Sequence, residues 1–140
     1  MARNTQKLKT LIFNTLNNDL TLRGLLCGTG RVKHGNPENL SEYPCVTYQI
    51  LNEEDEPYGP DEATFMTKAR VIVTSFVANA SPLLAGKLDD RVQVLLHGVQ
   101  LSDTNVQVYS SYRSAKNEKF DSSVDVWTIQ SSYDIVTVTK

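Results

Sequence analysis

The chain has 140 residues, 40% of them hydrophobic and 21% charged, with a formal net charge of −2 and a pI near 5.6. That length suits one domain covering residues 1–140, able to bury a core without disulfides or metals, and the charge leaves no electrostatic footprint for nucleic acid or anionic lipid. No apolar run nears the roughly 20 residues that span a bilayer; the start Met1-Ala2-Arg3-Asn4-Thr5-Gln6 lacks a signal peptide's apolar core, so the expected setting is a cytoplasm without membrane contact.

Asn4 or Thr5 is placed to cap a first helix whose Leu8, Leu11, Ile12 and Leu16 share one face, with Gln6, Lys7, Lys9 and Asn14 opposite. Asp19 can then cap a short helical stretch from Leu20 to Cys27 that carries Leu22, Leu25 and Leu26 and stops at Gly28-Thr29-Gly30. Arg31 to His34 reads as a brief extended segment, and Gly35 to Asn39 as loop. Cys45 to Leu51 is rich in β-branched and aromatic residues and reads as a strand, with Pro44 confined to its start or to an edge.

From Asn52 to Glu62 the carboxylates Glu53, Glu54, Asp55, Glu56, Asp61 and Glu62 crowd around Pro57, Gly59 and Pro60. Like charge among turn formers cannot pack in a core, so the stretch reads as a solvated loop or the tip of a long hairpin. A protein contact or a cation site is also open there, although the EF-hand pattern is absent. The next strand starts as early as Ala63 and runs through Phe65 to Val77. It projects from the body at its Lys68-Arg70 end and is covered on both faces from Ile72 onward. As a long edge strand it calls for a partner or a cover.

Ser81 is placed as an N-cap with Pro82 at the first helical position, and Leu84, Leu88, Val92 and Leu95 recur at helical spacing. Leu83 and Leu96 widen the stripe; Lys87, Asp89, Asp90, Arg91 and Gln93 are expected to face outward, and Gly98 to end the helix in a left-handed conformation. A fourth strand follows from Asn105 to Arg113, with Val106, Val108, Ser110 and Tyr112 on one side. A polar connection, Ser114 to Ser123, precedes a final long strand, Val124 to Val138, or two strands joined at Ser131-Ser132, in which Trp127, Ile129, Tyr133 and Ile135 share a parity. This order predicts an α+β fold: a mainly antiparallel β-sheet with the N-terminal helix and the central amphipathic helix packed on one face, plus a projecting β-hairpin.

The chemistry-bearing residues form no recognisable constellation. Cys27 and Cys45 lack metal-knuckle spacing and read as reduced, packed thiols, with a disulfide left open; His34 and His97 stand singly. No phosphate loop, nucleotide-binding glycine fingerprint, nucleophile elbow or zincin helix is present, and Gly28-Thr29-Gly30 reads as a turn. The expectation is therefore a chain that joins other chains, with no catalytic residue, no metal and no cofactor.

Taken together, the N-terminal helix, "DLTLRGLL", the "RVKHG" segment, the "YPCVTYQI" strand, the charged hairpin leading into "KARVIVTSF", the "SPLLAGKLDDRVQVLL" helix and the closing "VDVWTIQSSYDIVTV" resemble the tail completion or tail terminator proteins of tailed bacteriophages. The resemblance covers most of residues 4–138. It implies a structural virion protein assembled in the host cytoplasm. Such a protein forms a homo-hexameric ring at the head-proximal end of the tail tube, stops tube polymerisation and docks the head-tail connector. Its partners would be further copies of itself, the tail tube protein and the connector, adaptor or stopper, with DNA only as cargo passing through the channel. The implied interface is Glu53, Glu54, Asp55, Glu56, Asp61 and Glu62 with Lys68 and Arg70, and an acidic channel rim would repel phosphate. A neck adaptor or stopper on the portal side is the alternative within this class; a small ligand-binding or enzymatic domain is the alternative outside it.

Overall fold

A computed structural model describes residues 5–26, 32–35, 44–57, 65–78, 82–102, 106–122 and 125–139. The elements follow in the order α1 (Thr5–Asn17), α2 (Leu20–Leu25), β1 (Val32–His34), β2 (Cys45–Pro57), β3 (Phe65–Ala78), α3 (Pro82–Leu96), β4 (Val106–Asp121) and β5 (Val126–Thr139). The strands make one five-stranded mixed sheet in the order β1-β2-β3-β5-β4. Only β1 and β2 run parallel; every other pairing is antiparallel, and the fold is α+β as its sequence implies.

Strand periodicity decides which face is covered. Along β3 the alternate residues Thr67, Ala69, Val71, Val73, Ser75 and Val77 are buried, and in register with them lie Thr137, Ile135, Tyr133, Ser131, Ile129 and Trp127 of β5. Onto this face α1 delivers Leu8, Leu11, Ile12 and Leu16, α2 delivers Leu22, and α3 delivers Ala85, Leu88, Val92 and Leu96. Each large aliphatic chain so buried contributes about 1.5–3 kcal/mol before entropy is counted. Cys45 is buried at the start of β2, one residue after Pro44, while Cys27, Asn4, Ser81 and Gly28-Thr29-Gly30 lie outside the described residues.

Four expectations are corrected. The strand through Phe65–Ala78 is interior, held between β2 and β5; the long edge strand is β4. Ser114 to Asp121 is not a loop but the second half of β4, paired with β5 down to Asp121↔Val126. The alternation expected in β4 fails because register shifts between Val108 and Ser110 and between Arg113 and Ala115 each reverse the parity, so Val108 and Ser111 are buried while Tyr112 is exposed. Finally, the buried stripe of α3 is centred one position round from the expected one. Leu83 is 69% exposed and Asp89, expected outside, is 1% exposed.

Candidate assembly interface

The acidic hairpin is the first of two candidate contact regions. β2 and β3 extend it as a paired ribbon past a register shift between Leu51 and Glu54, with Glu54 opposite Lys68, Asp55 opposite Thr67 and Glu56 opposite Met66. The structure therefore brings Glu54 and Lys68 to facing positions, and the hairpin-tip alternative fits the described arms. Asp61 and Glu62 lie outside the described residues. Arg70 is turned to the neighbouring strand instead: it faces Asp134 in register, and its Nε donates to Asp134 Oδ1 at 3.2 Å with both side chains about half exposed.

The second is the distal half of the β4–β5 hairpin, whose polarity hides it in the sequence. The outer edge of β4 falls into two halves. Over the first half, the segment following α3 turns back along the strand. Gly98, at φ +69°, donates its N–H to the Ser111 carbonyl at 2.6 Å; Val108 donates to the Leu101 carbonyl at 2.7 Å; Gln100 Nε2 donates to the Tyr109 carbonyl at 3.2 Å. The last bond of the series comes from a side chain: Arg113 N–H donates to His97 Nδ1 at 3.0 Å, while the imidazole meets the Tyr112 ring edge-on at 5.8 Å. That nitrogen accepts only when unprotonated. Past Arg113, among the described residues, no strand or loop lies against the outer edge, and Ser114 to Phe120 are all exposed.

A buried charge marks the boundary between the halves. Asp89 of α3 accepts from Ser131 Oγ at 2.5 Å and from Arg113 Nη1 at 2.9 Å, with Lys116 Nζ at 3.5 Å. Arg113 and Lys116 stand on either side of the second register shift, so one carboxylate ties both to the helix. The Tyr133 hydroxyl lies buried beside this group without a partner at hydrogen-bonding geometry. Burial, then the Asp89 charge, push its pKa well above the usual tyrosine value, against a partial offset from the Arg113 guanidinium. A second ion pair sits between the helices. The Arg91 guanidinium grips Asp19 bidentately at 2.8 and 2.6 Å while the same carboxylate caps α2 through Leu22 N–H, and chiefly the Arg91 bond holds its pKa below the ordinary value. Both arrangements fix elements to one another. Among the described residues no group of three or more His, Cys, Asp or Glu is positioned to hold a metal ion, and no helix is long and apolar enough to cross a membrane.

No protein-family model matches the chain, and no curated protein matches it. Among solved structures the fold recurs: a chain of the virion of a native gene transfer agent (GTA) particle superposes with a TM-score of 0.76 at 14% identity, over 95% of each chain. At that identity what is shared is the α+β architecture itself, a sheet with its helices on one side.

Proposed function

We propose that the chain is a structural subunit of a tailed phage or phage-like particle, working in the virion as one copy of a ring at the head-proximal end of the tail. There it ends tube polymerisation and joins the tail to the head connector. The observation that carries this reading is the end-to-end fold likeness to a chain of the gene transfer agent virion, reached independently of the sequence features that resemble tail terminators. A fold built from one sheet with projecting hairpins and structural ion pairs suits repeated subunit contacts. In this reading the subunit turns over no substrate. The β2–β3 arm with Glu53, Glu54, Asp55, Glu56 and Lys68, beside Arg70, reaches a neighbouring subunit or the tube, and DNA passes the ring only as cargo.

Electron microscopy of particles made without the chain tests the proposal. Over-long tails, or tails without heads, are the expected result. Unaltered virions would rule the role out, and heads that lose their DNA beside tails of normal length would move the chain to the portal side as an adaptor or stopper.

A further inference from the structure

We propose that copies of this chain join edge to edge. The bare run of β4 in one copy, Ser114 to Phe120, adds as an antiparallel neighbour to the distal arm of β2, Gln49 to Pro57, in the next. The proposal rests on the reading of the chain as a repeated subunit and says which surfaces do the repeating.

Among the described residues both surfaces are sheet edges without a neighbouring strand. β1 covers the outer edge of β2 only at Val46 to Tyr48, where Gly35 N–H adds one bond to the Tyr48 carbonyl. From Gln49 outward, nothing among the described residues lies against that edge. On the far side of the sheet, the seal over β4 ends at the His97 imidazole. An edge of such length offers a row of backbone donors and acceptors that only water or another strand can satisfy.

Direction and position select β2 as the occupant. Each step from β2 to β3, β5 and β4 reverses the chain, so β2 and β4 point opposite ways. A second copy related by rotation about an axis to which the strands are tilted, as in a barrel, therefore sets its β2 antiparallel to β4, continuing the pattern of the sheet. The two open runs lie at opposite ends of the sheet, one beside Trp127 to Ser132 of β5 and the other beside Phe65 to Ile72 of β3. Joining them needs each copy to slide along its neighbour by several residues, and such a stagger is what tilted strands require to close around an axis. The contact is heterologous, which gives a ring when the rotation closes. Charge adds selectivity: the β2 arm carries four consecutive carboxylates, Glu53 to Glu56, whereas the bare run is net positive, with Lys119 as its available cation because Lys116 already meets Asp89 and Glu118.

Light scattering combined with amide hydrogen exchange on the full chain tests the pairing. Assembly should slow exchange in both 114–120 and 49–57, while 108–113, already sealed, changes little. Lys119→Glu, a change at an exposed position, should weaken assembly about tenfold. Assembly with neither edge protected overturns the proposal, as does protection of 114–120 alone, the signature of two β4 strands paired with each other. A chain that stays monomeric at every soluble concentration overturns it as well. None of these outcomes bears on the ring role, which the particles lacking the chain decide separately.

Discussion

The two halves of β4 belong to one strand, pair with one partner and meet different fates. Val106 to Arg113 is covered along its outer edge by the turn after α3, whereas Ser114 to Phe120 carries the more polar sequence and is left open. The contrast shows two ways of handling a sheet edge within a few residues: a fixed cover where apolar and aromatic side chains gather, and charge where the edge stays available. The Asp89 group stands where one regime gives way to the other.

The largest effect should come from that boundary. Asp89→Ala leaves the Arg113 and Lys116 charges and the Ser131 hydroxyl without their shared acceptor, and removing one partner from a buried ion pair costs about 3–5 kcal/mol. Urea denaturation should show a loss at the lower end of that range because Lys116 is about one-third exposed, and a loss under about 1 kcal/mol would mean that the carboxylate anchors nothing. Next comes the cover itself. An added Cβ at Gly98 meets open space, so Gly98→Ala pays only for φ +69°, about 1–2 kcal/mol, and should speed exchange at the Val108 and Arg113 amides. Gly86→Ala is the control with the opposite sign. That glycine lies inside α3 with room for a methyl group, and the change should stabilise by about 0.5–1 kcal/mol.

These same positions explain what could be read from the sequence. β5 was legible because Ile129, Tyr133 and Ile135 keep an uninterrupted two-residue period against the core, and α1 because Leu8, Leu11, Ile12 and Leu16 keep a helical one. β4 was legible as a strand only to Arg113: its two register shifts exchange the faces twice, and beyond Arg113 only Ala115 and Phe120 supply an apolar signal. Asp89 was assigned to the surface because its partners lie 24 and 42 residues away, beyond any local pattern. Asp19, by contrast, declared itself as a cap through local spacing alone; its bond to Arg91, 72 residues on, did not. Of the interface residues expected from the sequence, the acidic run was plain as charge, but the open edge beside it depends on how short β1 is, a tertiary fact.

Asp19→Ala should cost about 1 kcal/mol as the loss of an N-cap, less than either change at the β4 boundary and confined to the α2–α3 side of the molecule. The carboxylate also carries a pH signature. The folded-state pKa of Asp19 lies below its ordinary value of 3.8, so the unfolded chain binds the proton more readily. The stabilisation is complete above the unfolded value and fades as pH falls through the folded one. Urea titrations from about pH 5 to about pH 2 should therefore show a shallower acid loss in Asp19→Asn than in the parent; an identical slope would separate the shift from stability.

The smallest effect on stability is expected at the other open edge's side of the sheet. Arg70 and Asp134 are each about half exposed, and a cross-strand ion pair so placed contributes at most about 0.5–1 kcal/mol, screened by salt. Arg70→Ala should thus leave the urea midpoint almost unmoved. Assembly is the more sensitive readout, because Arg70 lies at the foot of the β2–β3 arm, opposite Leu51 in register and just before the shift that leads to Glu54. If that arm receives a neighbour's β4, Arg70→Ala should weaken association measured by light scattering while the monomer's melting is unchanged. Equal loss in both would make Arg70 a structural residue and remove it from the interface.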